Sequence, residues 1–378
     1  MNLRFGSYEG KFLYLAVVIV AMSFLILSCL VVGNYFDMKP TAPSIFSWQD
    51  MTSSTSQNKP FCKDDPSQYP KTWDEIVSAP PPIQSGVGIG ALDGDFTGLA
   101  FSTYKVRSHH VLTGRLHLWY PNTNENNRAL HMRFLVLLDE QQLSNAINDS
   151  LAAFYDLVVH PGDQLALKLT LPPLDIGVHD LNILAFHNID DVPNDIGSVA
   201  YTHARYTLVA DDWASGGKPR TFIRLEPEAY LASNSGLPLL LSLDSKIPKY
   251  WNGSEATLNV PPGHNLHFNI RVGYISQTDA DTLRSTPRTD QPVAVILLFD
   301  YQQVEVAGRP AFYGILSSNT YYSRIESSLT APLRGNHDIL AIRINYPGIP
   351  ICILQGYPGD PPFPFLADVQ RASISVTP

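Results

Sequence analysis

The chain is poor in charge and in cysteine. Of its 378 residues only 16% are charged and three are cysteines, and no stretch is rich in lysine and arginine. Nucleic-acid binding needs clustered basic side chains, so this composition, with a net charge of −9, excludes nucleic acid as a partner. The signatures GxSxG, HExxH and CxxC do not occur in the sequence. No common hydrolase, zinc-protease or redox motif therefore identifies a catalytic site.

One long run without charge lies near the N-terminus, at residues 12–33. At about 1.5 Å per residue a helix of this length spans roughly 33 Å, enough to cross a bilayer core of about 30 Å. Arg4 and Lys11 precede the run, which favours a cytoplasmic N-terminus. The sequence predicts a cytoplasmic tail at 1–11, a single-pass signal-anchor at 12–33 in the cell membrane, and an extracytoplasmic remainder.

An alternative interpretation of the same run is a lipoprotein leader. Residues 26–29 read Ile-Leu-Ser-Cys, which approximates a lipobox and would make Cys29 the lipidated N-terminus. Against it, the apolar run exceeds the 7–15 residues usual for a leader, and Leu30 follows the cysteine directly where a polar tether is expected. We therefore favour the signal-anchor.

Residues 34–85 are dominated by proline, serine and threonine and are predicted to form an extended stalk. The stretch TWDEIV inside it is predicted to form one helical turn at most. Cys62 in the stalk and Cys352 near the C-terminus are the two cysteines outside the apolar run. In an oxidising compartment they are a candidate disulfide that would clip the stalk to the C-terminal domain, but sequence does not place their side chains.

After residue 85 the chain consists of short apolar or alternating runs separated by Gly, Pro, Asn and Asp. This pattern is typical of strands and turns, and the turn spacing favours antiparallel β-sandwiches of immunoglobulin-like architecture. The stretch DEQQLSNAINDSLAAFYDL comes nearest to a helical pattern and is predicted to hold a short helix.

An internal repeat is the most informative feature. FLVLLDEQQL (134–143) matches VILLFDYQQV (295–304), and a GxHD motif follows each, at 177–180 and at 335–338. Phe154-Tyr155 is matched to Phe312-Tyr313. The sequence thus predicts two tandem sandwiches that arose by duplication: repeat 1 at 86–212 and repeat 2 at 219–378, joined by a flexible hinge at 213–218.

The repeated polar residues are the most tempting site residues. A His–Asp pair can hold an imidazole ready for general-base work. Two diverged halves seldom keep identical chemistry, however, so we interpret the repeated residues as structural, with the Asp after each strand bonded in its turn. They are Asp139, Gly177, His179, Asp180, Asp300, Gly335, His337 and Asp338.

Two loops are weak binding candidates. The loop HNIDDVPND carries Asp190, Asp191, Asn194 and Asp195, which could offer oxygens to a structural calcium ion, although a solvated acidic loop is the plainer interpretation. Repeat 2 has instead a proline–aromatic segment whose Tyr357, Phe363 and Phe365 could form a contact surface or pack over the end of the sandwich. No other cofactor or metal is predicted.

The sequence predicts architecture better than activity. We expect a membrane-anchored, non-enzymatic binding or scaffolding module for an envelope protein or a polysaccharide. One alternative is an envelope-polymer hydrolase with a site assembled from non-adjacent strands. Another is a structural subunit of a membrane complex.

Overall fold

The computed structural model describes the core strands of both repeats and the turns between them. The described residues are 44–45, 87–100, 102–122, 128–187, 189, 200–212, 217–226, 239–242, 257–273, 291–316, 322–331, 334–351 and 368–376. All elements with described bounds are β-strands, which confirms the mainly β fold class. Within this part of the chain no helix has the length and apolarity to span a membrane. The predicted anchor at 12–33 lies outside it.

The strands of the first half lie between Gly88 and Ala210, inside the range predicted for repeat 1. A two-residue strand, β1 (Ser44–Ile45), precedes them. The others are β2 (Gly88–Leu92), β3 (Thr97–Ala100), β4 (Thr103–Val106), β5 (Leu112–Trp119), β6 (Leu130–Leu138), β7 (Gln141–Gln142), β8 (Tyr155–Val159), β9 (Gln164–Leu171), β10 (Gly177–His187) and β11 (Tyr201–Ala210).

The strands of the second half lie between Thr221 and Val376, inside the range predicted for repeat 2. They are β12 (Thr221–Arg224), β13 (Leu239–Ser242), β14 (Thr257–Val260), β15 (Asn265–Gly273), β16 (Gln291–Phe299), β17 (Gln302–Val304), β18 (Phe312–Leu316), β19 (Tyr322–Thr330), β20 (Gly335–Asn345) and β21 (Asp368–Val376).

The two halves have matching sheets. Repeat 1 has a large sheet in the order β3-β4-β11-β10-β6, with β7 and β8 also paired to β6, and a small sheet β2-β5-β9. Repeat 2 has a large sheet β1-β12-β18-β16-β20-β21-β14, with β17 paired to β16, and a small sheet β13-β15-β19. In each repeat, apolar side chains of the large and small sheets share one core, so each repeat is a β-sandwich.

The prediction of purely antiparallel sheets is wrong at the sheet edges. Strand β4 pairs with β11 in parallel, β14 pairs with β21 in parallel, and β12 pairs with β18 in parallel. A tight hairpin forces its two strands to be antiparallel, but each of these pairs joins strands far apart in sequence. Their direction is therefore free of that constraint.

Strand burial explains the sequence patterns. In β9, Leu167, Leu169 and Leu171 are buried and alternate with polar residues, so one face of this strand meets the core and the other meets solvent. Strand β10 is buried along almost its whole length, because both faces of its sheet are covered. Its near-continuous apolar run is the expected signature of that position.

The face of the large sheet of repeat 1 that points away from its own core packs against repeat 2. Leu135, Leu137, Leu184 and Phe186 of repeat 1 form one buried cluster with side chains of repeat 2. A fully buried Leu or Phe contributes about 1.5–3 kcal/mol by removal from water, so this cluster joins the sandwiches firmly. Its members from repeat 2 are Ala294, Ile296, Leu298, Tyr301, Ala311, Leu340, Ile342, Ile344 and Val369.

Two local predictions need correction. The stretch after β6 is not helical: Asp139, Glu140, Asn145, Asn148 and Asp149 all have positive φ, which breaks a right-handed helix into turns. Asp and Asn adopt this conformation more readily than most residues, and their recurrence marks a chain of turns.

Residues 217 and 218 of the predicted hinge are described, and Gly217 forms a parallel bridge with Val178. The register of β8 corrects the repeat as well: Tyr155 faces Phe134 and Phe312 faces Val295, so Tyr155 corresponds to Phe312 and the predicted match is off by one residue.

Candidate functional site at the interface of the repeats

The repeated Asp lies in a tight hairpin in both halves. Strand β6 turns into β7 through Asp139 and Glu140, with φ of 48° and 62°, and β16 turns into β17 through Asp300 and Tyr301, with φ of 48° and 64°. Two positive φ values in a two-residue loop are the mark of a type I′ turn. Asp adopts this backbone more readily than most residues, which explains why it opens both turns.

Each turn Asp binds the following GxHD motif. Asp139 Oδ2 lies 2.7 Å from His179 Nδ1, and Asp139 Oδ1 accepts the backbone N–H of Asp180 at 3.0 Å. In repeat 2, Asp300 makes the same two contacts, with His337 at 2.7 Å and with Asp338 N–H at 2.9 Å. The two sequence motifs are therefore halves of one contact between neighbouring strands.

Oxygen atoms lie within hydrogen-bond distance of both ring nitrogens of His179. Its second ring nitrogen, Nε2, lies 2.9 Å from the carbonyl oxygen of Asp175, so both nitrogens face acceptors. Burial alone would lower the pKa of His179, but the hydrogen bond and the charge of Asp139 raise it. Burial would likewise raise the pKa of Asp139, yet His179 and Arg220 lower it. An imidazole that donates from both nitrogens has no lone pair with which to act as a base.

The last residue of each GxHD motif pairs with an arginine of the neighbouring strand. Arg205 binds both oxygens of Asp180, at 2.7 and 2.8 Å, and Arg371 binds Asp338 at 2.7 Å. Arg205 also donates to the carbonyl oxygen of Asn345, at 2.6 Å, in repeat 2. It thus ties an ion pair of one repeat to the backbone of the other.

The repeated glutamines form a reciprocal bridge between the repeats. Gln142 N–H donates to Gln303 Oε1 at 2.6 Å, and Gln303 N–H donates to Gln142 Oε1 at 2.6 Å. Gln142 Nε2 donates to the carbonyl oxygen of Tyr301, and Gln303 Nε2 to that of Glu140. Two copies of one motif that contact each other in the same way are related by a local two-fold axis.

The turn residues after the two aspartates differ, and each meets a cation. Glu140 is fully buried; Arg220 donates to its two oxygens at 2.9 and 3.1 Å, and Tyr313 Oη donates at 3.0 Å. Burial opposes the charge of Arg220, but the carboxylates of Glu140 and Asp139 raise its pKa. On the other side, the guanidinium of Arg133 lies 4.6 Å from the ring centre of Tyr301. The glutamine bridge is therefore repeated on both sides of the interface, but the contacts of the two turn residues are not.

Several predicted site residues lie outside the described residues. They include both loop candidates, with the acidic residues Asp190, Asp191, Asn194 and Asp195 and the aromatic residues Tyr357, Phe363 and Phe365, and all three cysteines, Cys29, Cys62 and Cys352. Among the residues that are described, no group of three His, Cys, Asp or Glu side chains could hold a metal ion.

Repeat 2 also has an open depression of about 400 Å³. It is lined by His267 and Glu326 of neighbouring strands and by Glu305 near the β17 end. The backbone N–H of Ala307 donates to Ser327 Oγ at 3.2 Å and fixes the turn over it. The depression is open to solvent.

Sequence reasoning missed the partners of the repeated residues. The sequence repeat identified Gln142 and Gln303, but it did not predict that they bond across the interface of the two repeats. Arg205 and Arg371 stand at matching places in the two closing strands, HARYTLV and VQRASISV, so this repetition was a signal that could have identified them. Arg220 has no such signal within the predicted repeat boundaries.

Comparisons with known proteins give only distant structural matches. No family model and no curated protein matches the chain. Among solved structures, the CARDB domain of the PF1109 protein from Pyrococcus furiosus, in complex with di-metal ions, is 10% identical with a TM-score of 0.19, and the match covers 34% of this chain and 90% of that chain. Red sea bream transglutaminase is 10% identical with a TM-score of 0.20; the match covers 82% of this chain but only 34% of the enzyme. With TM-scores near 0.2, neither match supports a conclusion about this chain.

Proposed function

We propose that the chain is a membrane-tethered, rigid tandem β-sandwich module that binds a protein partner outside the cytoplasm. The uncharged run at 12–33 supports the tether. The core shared by the two sandwiches supports rigidity, because relative motion would expose a large apolar surface. A rigid pair of sandwiches holds its end loops at fixed positions, as binding modules require.

The observation that carries the binding role is an apolar pair on the end loops of repeat 1. Val111 is 58% exposed and Ile176 is 50% exposed. Their loops are joined by a hydrogen bond from His109 N–H to the carbonyl oxygen of Leu174, at 2.7 Å. Aliphatic side chains exposed on an ordered loop pair offer contact area to a protein at little cost in loop entropy.

The repeated polar residues support a structural rather than a catalytic role. His179 faces two acceptors, Asp180 is saturated by Arg205, and Gln142 binds its counterpart. Each is used to hold turns, strands or the two repeats together. The module therefore acts by presenting a surface.

The test is cross-linking in intact cells, followed by purification of the full-length protein and mass spectrometry. We expect a protein partner with the native chain, and its loss in the double variant Val111→Asp/Ile176→Asp. The control is Leu151→Asp, at a residue that is 89% exposed in another loop. Equal partner recovery in the double variant and the native chain would reject this surface. Retention of an envelope polysaccharide in place of a protein would change the partner class.

A further inference from the structure

The chain itself covers the outer edge of strand β9 in repeat 1, which is an edge strand of the small sheet. Asn148 N–H donates to the carbonyl oxygen of Lys168, and Asn148 Oδ1 accepts the N–H of Lys168, both at 2.9 Å. Thr170 N–H donates to the carbonyl oxygen of Ala146 at 2.8 Å. Residues 146–148 therefore act as a short added strand that satisfies the outward backbone groups of Lys168 and Thr170.

Strand β19 is the counterpart of β9 in repeat 2 and is also an edge strand of its small sheet. Counting back from the GxHD motif that follows each strand aligns Lys168 with Glu326, and it aligns Thr170 with Ser328. The alternation of buried and exposed residues has the same phase around these positions in both strands. The outward N–H groups of β19 are therefore those of Glu326 and Ser328.

The turn that closes β9 has a counterpart in repeat 2 that does not close β19. Ala307 and Gly308 both have positive φ. Asn148 and Asp149 do as well, so the two turns share the type I′ conformation. Alanine, however, has no side-chain oxygen that could accept an N–H of the strand. The N–H of Ala307 donates to Ser327 Oγ at 3.2 Å, so this turn contacts a side chain of β19 and not its backbone.

The edge of β19 thus borders the open depression of repeat 2 with backbone donors that are not bonded. Glu326 and Ser328 line this depression. Neither outward N–H group makes a hydrogen bond within the described part of the chain, whereas both counterparts in repeat 1 are bonded. Unpaired donors that recur at every second residue of an exposed strand are a template for a further strand.

The depression is also acidic. The carboxylates of Glu305 and Glu326 stand on its two sides, one near the turn and one on β19. Arg324 lies 3.0 Å from Glu326, but the Glu326 side chain is 71% exposed, so this surface pair is weak and leaves the carboxylate accessible. Glu305 has no ion-pair partner among the described residues, and His267 is the remaining titratable side chain of the lining. This charge favours a ligand with a basic side chain.

We propose that the β19 edge binds an extended, basic peptide segment of a partner protein, which adds to β19 antiparallel as residues 146–148 add to β9. Carbonyl oxygens of the segment accept the N–H groups of Glu326 and Ser328, whose spacing matches alternate residues of a strand. A lysine or arginine of the segment pairs with Glu305 across the depression. The site lies apart from the end-loop surface of repeat 1, so failure of one proposal leaves the other standing.

A phage-displayed library of random peptides tests the site on the purified full-length protein. We expect the enriched peptides to carry lysine or arginine among strand-forming residues, and to bind Ala307→Asn about tenfold or more weaker. The amide introduced by this variant accepts the Glu326 N–H and closes the edge as Asn148 closes β9, and asparagine tolerates the positive φ of the turn. The control Ala152→Asn, at an exposed alanine of repeat 1, should bind like the native chain.

A charge variant separates the two parts of the site. Glu305→Gln should remove the preference for basic peptides and leave the backbone pairing. Failure to enrich any peptide, equal binding by the native chain and Ala307→Asn, or enriched peptides without basic residues would overturn the proposal. Self-association of the native chain in sedimentation that Ala307→Asn abolishes would assign the edge to a second copy and would overturn it as well.

Hydrogen exchange tests the strand addition itself. In the unbound full-length protein we expect the amides of Glu326 and Ser328 to exchange about 100-fold or more faster than their counterparts in β9, because only the latter are bonded. The peptide that binds most tightly should slow the two amides of β19 and leave those of β9 unchanged. Binding without this slowing would reject strand addition at β19.

Discussion

The Asp–His contacts of the two repeats have the same length and different surroundings. Both span 2.7 Å between Oδ2 and Nδ1, but the side chain of Asp139 is almost covered while that of Asp300 is half exposed. Arg220 and Glu140 lie over the first contact, and Tyr301 lies beside the second. The Asp–His contact thus stabilises the turn in both repeats, and in repeat 1 it is also part of a buried charge network. The surroundings, more than the motif, determine how much each copy stabilises the fold.

The largest difference should appear at the two arginines. Arg205→Ala leaves Asp180 buried and uncompensated and removes bonds to the backbone of repeat 2, so we expect a loss of about 3–5 kcal/mol in the free energy of unfolding. Arg371→Ala, next to the more exposed Asp338, should cost about 1 kcal/mol. Urea unfolding of the purified protein measures both. Equal losses would show that burial at the interface does not increase the stabilising effect of the Arg205–Asp180 ion pair.

The glutamine bridge should respond equally from both sides. Gln142→Ala and Gln303→Ala each remove one side of the same reciprocal contact, so we expect losses of about 2–3 kcal/mol for either. The double variant should lose about the sum, because each side chain bonds backbone groups and the two variants delete no common hydrogen bond. A double-mutant cycle by urea unfolding measures this. A loss from one variant alone would contradict the reciprocal bridge.

The two interface tyrosines offer a closer comparison. Tyr313→Phe removes a bond to the buried Glu140 and should cost about 1.5–3 kcal/mol. Tyr301→Phe should leave the free energy of unfolding unchanged or raise it, because the buried Tyr301 hydroxyl has no hydrogen-bond partner in the described part of the chain. The same unfolding measurement compares the two variants. Equal losses for both would show that the Tyr301 hydroxyl is bonded as firmly as that of Tyr313.

The smallest effect concerns acid. Burial lowers the pKa of His203 to about 3 and that of His187 to about 4. The unfolded chain takes up these protons below about pH 6.5 and the native protein does not, so stability is full above that pH and falls as pH drops toward the folded pKa values. The strand register places Val369 and Asn345 at the corresponding positions of repeat 2.

His203→Gln should therefore recover about 1 kcal/mol of the loss between pH 6.5 and 5.5, because the unfolded imidazole is only half protonated at pH 6.5 and the full effect of about 1.4 kcal/mol per pH unit is reached below that range. Thermal unfolding followed across this range measures the recovery, with the exposed-loop variant His109→Gln as the control. An unchanged pH dependence in His203→Gln would show that this ring is already protonated in the native protein.

The pattern of the sequence was enough to predict the β fold and to find the repeat. Asp139 and His179 could be found because each recurs at the matching position of the second repeat. Their contact with each other could not be predicted, because it depends on how β6 and β10 pair. Positive φ at Glu140 and its neighbours removed the predicted helix, since turn residues outweighed a partly helical apolar spacing. The interface was hidden because side chains that face a partner repeat look the same in sequence as side chains that face a core.

The shared core also has a consequence for biosynthesis. Gln142 finds its partner 161 residues later in the chain, and Leu135 and Leu184 are covered by strands of the second half. At about 5–20 residues per second, repeat 1 leaves the ribosome roughly 8–30 s before its cover is made. During that interval the outer face of its large sheet is an exposed apolar surface. Until repeat 2 is synthesised, repeat 1 exposes an apolar face like that of an isolated subunit of a dimer. The nascent chain is therefore most prone to bind chaperones or to aggregate during this interval.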